Sequence, residues 1–196
     1  MKFLRNVAGL LGRSRSKGSP DLAGLALDLL RAGRVASRPD APAESLGAVV
    51  SIVAKSMQAD LCAFLLFDES AGELITQPGA FGPGGDEEDL YRMHVTNRRS
   101  SSVRVFLTGE PFVTGDAQND PRVIQEYARR WECRSLAVVP LTVEGRRIGV
   151  MRVGSFQKDF FTPEHLAVLD LIAEEAVVLV ETALLGQKLA EANRRL

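Results

Sequence analysis

Two apolar runs joined by a two-residue turn constrain the fold of this chain most strongly. The runs at residues 135–143 and 148–154 are rich in Val, Leu and Ile, and Glu144-Gly145 lies between them. This composition predicts an antiparallel hairpin at the centre of a sheet. Neither run alternates cleanly between apolar and polar residues, so both faces of the hairpin are expected to be covered.

Arg152 is the polar side chain that interrupts the second run. An isolated buried charge is very costly, so a buried guanidinium needs a partner. We therefore expect Arg152 to face a pocket and to pair with an anionic ligand or with a protein carboxylate.

Hydrophobic periodicity and turn residues predict further helices and strands around this hairpin. The predicted elements are helices at 20–33 and 43–58, strands at 60–68, 73–77 and 90–95, and short helices at 100–108 and 122–131. A final helix is expected to begin at Pro163, with Thr162 as its N-cap, and to run towards the end of the chain.

A loop rich in Gly and Pro, PGAFGPGG at residues 78–85, precedes four consecutive acidic residues at 86–89. A phosphate-binding loop would be followed by Lys-Ser/Thr and by the start of a helix. Neither feature is present, and four carboxylates would repel a phosphate. We therefore expect a mobile loop.

The distribution of charge restricts the partners of the protein. The formal net charge is -1, but the first 18 residues contain five basic residues and no acidic one. The remainder is therefore negative, which argues against nucleic acid as a partner. Residues 1–19 form either a disordered tail, which we favour, or a weak amphipathic anchor for a membrane or a partner.

The apolar runs and the cysteines suggest a cellular setting. No apolar run is long enough to span a bilayer, and the two cysteines are not closely spaced. These features fit a reducing, cytoplasmic setting.

The order of the predicted elements, together with four segments, resembles the GAF domain family of small sensory and regulatory domains. The segments are ADLCAFLLFDESAGEL (59–74), TGEPFVTGDAQNDPR (108–122), RSLAVVPLTVEGRRIGVMRVGS (134–155) and FTPEHLAVLDLIAEEAV (161–177). The resemblance implies an α+β fold in α/β/α layers, with a central antiparallel sheet of about five or six strands. It places terminal helices on one face, and short helices and loops on the other face, where many members hold a small molecule.

This resemblance suggests a division of the chain into four parts. They are a basic flexible tail at 1–19, an N-terminal helix and linker at 20–42, a GAF-like domain at 43–185 and a C-terminal helical extension at 186–196.

Aromatic residues concentrated in the middle of the chain are candidates for lining a ligand pocket. The alternative, that they fill a second small core under the loops, stays open. The candidate ligand-binding residues are Phe64, Phe106, Phe112, Tyr127, Trp131, Arg134 and Arg152, and Phe81 belongs to the same aromatic group.

No catalytic residue, metal site or cofactor is predicted. His94 and His165 lie far apart in sequence and are expected at the surface. Cys62 is expected to be an inert core thiol and Cys133 a small apolar filler, although Arg130 and Arg134 could lower the pKa of Cys133.

Free-methionine-sulfoxide reductases of the GAF family place cysteines in the middle loop and just before the hairpin. In this chain the middle segment reads RRSSSVRV (98–105) and contains no cysteine. We therefore expect that Cys133 is not catalytic and that the chain is not an enzyme.

The final helix is predicted to join two copies of the chain, as the resemblance also implies. Small and apolar residues recur on it with a 3-4 spacing. The predicted interface consists of Leu169, Ala173, Ala176, Val180 and Ala183. Val180→Glu is then expected to dissociate the dimer and leave the sheet intact. In the alternative, the helix at 20–33 covers this surface within one chain.

The leading functional hypothesis is a non-catalytic sensory or regulatory domain that binds a small ligand or a partner and signals through a helical homodimer. Such coupling requires that the ligand bind two helix arrangements with different affinity. One alternative is a ligand-free dimerisation or adaptor module that recruits a protein effector. The other is a thiol redox enzyme of the free-methionine-sulfoxide reductase type.

Overall fold

A computed structural model describes residues 42–83 and 91–194 of the chain. The strands are β1 (Leu61–Asp68), β2 (Glu73–Thr76), β3 (Arg92–His94), β4 (Phe112–Thr114), β5 (Ser135–Val143) and β6 (Arg146–Ser155). The helices are α1 (Pro42–Ser56), α2 (Ser101–Thr108), α3 (Gln125–Arg130) and α4 (Pro163–Arg194). The strands form one antiparallel sheet in the order β3-β2-β1-β6-β5-β4. The tail at 1–19, the predicted helix at 20–33 and the acidic run at 86–89 lie outside the described residues.

The predicted central hairpin is confirmed as β5 and β6. Glu144 and Gly145 occupy its turn with φ angles of 48° and 81°. Two positive φ angles give a turn whose twist matches that of the flanking strands. Strand β1 pairs with the other edge of β6, so the hairpin lies inside the sheet.

Helices α1 and α4 cover one face of the sheet. The apolar stripe in and just after α1 is fully buried there, and it consists of Leu46, Val49, Val50, Val53 and Met57. Helix α4 begins at the predicted position, since Pro163 is its first residue and Thr162 Oγ1 accepts a hydrogen bond from the backbone N–H of His165 at 3.4 Å. The sheet and these two helices therefore enclose the larger core.

Four residues predicted to form a dimer interface lie in this core instead. Leu169, Ala173, Ala176 and Val180 are at most 2% exposed and pack with α1 and the sheet. The side chain of Ala183 lies outside the described residues. The predicted interface was therefore wrong. Helix α4 is apolar almost all round, so its sequence does not show which face is buried against the rest of the protein.

Helices α2 and α3 and the loops beside them cover the opposite face. Helix α2 confirms the prediction at 100–108. Ser100 Oγ accepts a hydrogen bond from the backbone N–H of Val103 at 3.2 Å, and Gly109 ends the helix with a φ angle of 77°. These are the expected N-cap and left-handed C-terminal residues.

The predicted helix at 122–131 is shorter than expected, since α3 begins only at Gln125. The carboxylate of Asp120 accepts hydrogen bonds from the backbone N–H of Arg122 at 2.9 Å and from its guanidinium at 2.6 Å. Such a side-chain turn competes with helical hydrogen bonding. It delays the start of the helix by three residues.

The protein thus has the α+β fold in α/β/α layers that the resemblance implies, with six strands. Helix α4 continues past residue 185 without a break, and the division into a domain at 43–185 and an extension at 186–196 stays a prediction. No helix among residues 42–83 and 91–194 has the length and hydropathy needed to cross a bilayer.

Candidate functional site

A small cavity lies on the face of the sheet that α2 and α3 cover. Strand β1 contributes Leu61, Ala63 and Leu65, and β6 contributes Arg152 and Gly154. These residues share one face because side chains at positions i and i+2 of a strand point to the same side. The register places Ala63 opposite Arg152 and Leu61 opposite Gly154, so the floor of the cavity consists of paired residues.

The roof of the cavity comes from Thr76, the last residue of β2, and from Ala80, Phe81 and Pro83 in the chain that follows it. Two backbone hydrogen bonds attach this segment to β1: Phe81 N–H donates to the Cys62 carbonyl at 2.8 Å, and Cys62 N–H donates to the Phe81 carbonyl at 3.0 Å. The sequence predicts a mobile loop here, whereas the part before residue 84 is paired with β1.

The side wall of the cavity is formed by Trp131, Cys133 and Leu136. The space open to the centre of a water-sized sphere is about 30 Å³. One water needs about 10–15 Å³ by this measure. The described part of the cavity therefore has room for a small chemical group.

Arg152 is half-buried in the wall of the cavity and lies against two aromatic rings. Its guanidinium carbon is 4.7 Å from the centre of the Tyr91 ring and 5.5 Å from that of the Trp131 ring. No carboxylate of the described residues forms an ion pair with it. The rings attract the cation, but they do not neutralise its charge.

Trp131 brings a second hydrogen-bond donor to the cavity. Its side chain is buried, and its Nε1 has no hydrogen-bond partner among the described residues. A buried donor without a partner costs about 1–3 kcal/mol. Arg152 and Trp131, both residues of the cavity wall, therefore each contain a donor that has no acceptor within the described structure.

Three aromatic side chains hold this arrangement in place. The ring of Tyr127 is 4.7 Å from that of Tyr91 and 4.9 Å from that of Trp131. The hydroxyl groups of Tyr91 and Ser100 are hydrogen-bonded to each other at 2.6 Å. Burial raises the pKa of Tyr91, although Arg152 and Ser100 act in the opposite direction, so this hydroxyl stays protonated at neutral pH.

Both cysteines border the cavity, but the Cys62 side chain packs on the other face of the sheet. Cys133 lies in the cavity wall, is buried, and donates a hydrogen bond to the carbonyl of Ser135 at 3.3 Å. Burial raises the pKa of Cys133 to about 11, although the charge of Arg152 acts in the opposite direction. Burial also raises the pKa of Cys62, which packs in the core under α1 and α4.

The seven predicted ligand-binding residues are not all brought together. Trp131 and Arg152 line the cavity, and Tyr127 stacks on Trp131 behind them. Phe106 and Phe112 lie on the same face of the sheet and outside the cavity lining. Arg134 is exposed, and Phe64 packs on the opposite face, in the core under α1 and α4. The placement of these last two residues removes them from the candidate site.

Sequence reasoning missed the cavity residues of β1 and the role of Tyr91. Strand β1 is apolar at almost every position, so its pattern does not distinguish the cavity face from the core face. Tyr91 lies two residues after the acidic run, and an aromatic residue in this position was the available signal. His94 is exposed, and no cluster of three or more potential metal ligands occurs in the part of the chain that the structure describes.

Comparison with known proteins gives one family and several solved structures. A family model described as the GAF domain matches residues 41–181. A free methionine-R-sulfoxide reductase from Neisseria meningitidis, solved in complex with its substrate, is 22% identical, with 87% of this chain and 94% of that chain covered and a TM-score of 0.66. No curated protein sequence matches the chain.

Two further structures have the same fold. The GAF domain of an Acinetobacter phosphoenolpyruvate-protein phosphotransferase is 18% identical, with 85% of this chain and 97% of that chain covered and a TM-score of 0.65. A type II free methionine-R-sulfoxide reductase from Thermoplasma acidophilum is 17% identical, with coverages of 74% and 93% and a TM-score of 0.59. At these identities the similarity concerns the fold.

These structures contradict the prediction that the chain is not an enzyme. Free methionine-R-sulfoxide reductases from three organisms share the fold of this chain. The prediction relied on the absence of a cysteine from residues 98–105. One missing residue type in one segment does not exclude catalysis on a fold that enzymes also use.

Proposed function

The chain belongs to the GAF domain family, a family of sensory and regulatory domains, and from this premise we propose that it binds a small anion in the cavity beside Arg152. The single observation that carries the proposal is the position of the Arg152 guanidinium. It lies in a cavity wall, over the rings of Tyr91 and Trp131, without an ion pair to any described carboxylate. An anion in the cavity would supply the partner that a half-buried charge requires.

Native mass spectrometry of the purified protein tests this proposal, because it reports a bound ligand and the oligomeric state together. Arg152→Met keeps most of the length of the side chain and removes its charge. We expect the wild type to carry an anion and this variant to lose it while remaining folded.

The matched control is Arg134→Met, since Arg134 is exposed and does not line the cavity. The control should retain the anion. If the wild type and the Arg152 variant carry the same ligand, the proposed role of Arg152 is refuted. A wild-type dimer without a ligand would favour the adaptor function instead.

The contacts of residues 133–135 support a route from the cavity to α4. Cys133 lies in the cavity wall and donates to the carbonyl of Ser135. Ser135 Oγ accepts a hydrogen bond from the backbone N–H of Phe161 at 3.2 Å, two residues before α4 begins. A ligand that moves this part of β5 would therefore move the start of α4. Hydrogen exchange of the first turn of α4, with and without ligand, tests this coupling.

We also propose that the protein forms a homodimer through the outer face of α4. Val178 and Leu185 are 59% and 62% exposed and lie seven residues apart, and Leu171, seven residues before Val178, is half-buried. A seven-residue apolar repeat is the pattern of a helical pair. Light scattering at micromolar concentration tests the proposal, and a monomer would refute it.

The position of Cys133 favours one second candidate, the reduction of free methionine sulfoxide. Oxygen would pass from the sulfoxide to the thiol sulfur and give a thioether and a sulfenic acid. Two molecules of a thiol reductant would then restore the thiol and release water. A pKa of about 11 for Cys133 leaves roughly one thiolate in ten thousand at pH 7.

Turnover of free methionine sulfoxide with dithiothreitol tests this candidate. Turnover by the wild type that Cys133→Ser abolishes would support it. The same turnover by both proteins, or none by either, would refute a role of Cys133 in this reaction.

A further inference from the structure

The hydrogen-bond donors of the cavity are arranged for a planar acceptor. This arrangement suggests which class of anion binds at Arg152, an inference that rests on the proposed function. The guanidinium of Arg152 lies over the rings of Tyr91 and Trp131. A guanidinium is planar and carries its N–H donors in its own plane, at the edge. A carboxylate accepts two parallel hydrogen bonds from that edge.

The indole of Trp131 adds a single donor to the same cavity. Its Nε1 is buried and has no partner among the described residues. An indole N–H donates and cannot accept. A ligand that reaches this N–H has to offer an acceptor, which a carboxylate oxygen can supply.

The size and charge of the cavity limit the anion further. Its volume of about 30 Å³ corresponds to roughly two or three water molecules. Arg152 is the one cation among the described lining residues. A single positive charge matches a monoanion better than it matches a phosphate dianion.

The remaining lining limits the rest of the ligand. Most of it is apolar, including Leu61, Ala63, Leu65, Phe81 and Leu136. No Asp or Glu occurs among the described residues of the lining, so an ammonium group beside the carboxylate would lose its hydration without gaining an ionic partner. A short apolar chain would instead fit this surface.

We propose that the cavity takes a small monocarboxylate with a short apolar chain and discriminates against the α-amino acid with the same chain. The carboxylate binds the edge of the Arg152 guanidinium and the indole N–H of Trp131. The apolar chain contacts the β1 residues and Phe81. The specificity arises because the described lining residues offer no counter-charge to an ammonium group.

The chain contains a single tryptophan, and it is Trp131 in the cavity wall. Its fluorescence therefore reports directly on the site. The experiment titrates the full chain with propionate, alanine, propionamide and inorganic phosphate, at constant ionic strength set with chloride. Propionate and alanine differ by the ammonium group, and propionate and propionamide differ by the charge.

We expect a saturable change in fluorescence with propionate and at least tenfold weaker binding of alanine, propionamide and phosphate. Arg152→Met should abolish the response to propionate, whereas Arg134→Met should leave it unchanged. Trp131→Phe removes both the indole N–H and the only tryptophan, so propionate binding to this variant is followed by the shift of its thermal unfolding midpoint. Propionate should bind this variant several-fold more weakly than the wild type.

The outcomes separate this inference from the proposed function. If alanine or phosphate binds as tightly as propionate, the monocarboxylate class is wrong, and the anion site at Arg152 stands. If no compound changes the fluorescence but native mass spectrometry finds an anion that Arg152→Met loses, the proposed monocarboxylate class is wrong and the anion site at Arg152 stands. If no compound binds and no bound anion is found, the inference and the proposed function both fail.

Discussion

The packing of α4 can be tested with the same substitution at two valines of this helix, one on its buried face and one on its exposed face. Val180 is 0% exposed and packs in the core under α1 and α4, whereas Val178 is 59% exposed. Val180→Glu and Val178→Glu therefore differ in environment and in little else. The first places a carboxyl group in the core, and the second places it in water.

The cost of Val180→Glu follows from two effects. Removing a fully buried valine costs about 1.5–3 kcal/mol. A buried carboxyl group without a partner adds several kcal/mol, either as an unpaired charge or as the cost of protonation at neutral pH. The sum is about 5 kcal/mol, which is comparable with the total stability of many domains, about 5–15 kcal/mol.

Urea unfolding followed by circular dichroism measures this cost. With a slope of about 2 kcal/mol per molar urea, the midpoint of Val180→Glu should fall by about 2.5 M or the variant should be unfolded. At a protein concentration low enough for both proteins to be monomers, the midpoint of Val178→Glu should differ from that of the wild type by less than about 0.3 M, because exposed substitutions usually change stability by at most 0.5 kcal/mol. If the proposed dimer exists, Val178→Glu should nevertheless yield monomers by light scattering.

The pH dependence gives a second readout of Val180→Glu. Burial would raise the pKa of the introduced carboxyl group in the folded state above its unfolded value of about 4.3. The destabilisation should then diminish as the pH falls towards 5, since the folded state takes up the proton more readily. Equal effects of the two substitutions, or a Val180→Glu variant as stable as the wild type, would refute the described face of α4.

Three further predictions concern stability. Gly149→Ala should lower the free energy of unfolding by about 3 kcal/mol in urea, because its Cβ would collide with a backbone carbonyl of β1 in the centre of the sheet; an unchanged midpoint would contradict this. Ser100→Ala should cost about 2 kcal/mol in the same assay, since it removes the cap of α2 and the partner of the Tyr91 hydroxyl; a loss below about 0.5 kcal/mol would mean that neither bond matters. The hydrogen bond from Arg122 holds the pKa of Asp120 at about 2, so this carboxylate stabilises the fold above pH 4 and its contribution, of about 1 kcal/mol, is lost as the pH falls from 4 to 2. Asp120→Asn should therefore be less stable than the wild type at pH 6 and equally stable near pH 2, and a constant difference would refute this assignment.

Local signals in the sequence were sufficient for most elements of the fold. The turn at Glu144-Gly145, the cap at Ser100 and the start of α4 at Pro163 all lie where the sequence predicts them. Each depends on residues within about four positions of one another. The start of α3 at Gln125 is the exception, because the side chain of Asp120 forms a competing turn.

The candidate site was predictable only in part. The sequence identifies Arg152 as a charge within an apolar strand, and Trp131 as an aromatic residue of the middle segment. It does not place Tyr91 beneath the guanidinium or bring residues 80–83 over β1, because these contacts join segments that are far apart in the chain.

The faces of β1 and α4 were decided by tertiary structure alone. Both elements are apolar on more than one side, so their patterns are compatible with either orientation. Phe64 therefore lies in the core under α1 and α4 and not in the cavity, and Val180 lies in the core while Val178 faces outwards. The local pattern determines that a segment is a buried strand or helix, but only the surfaces packed against it determine which side chains face the core.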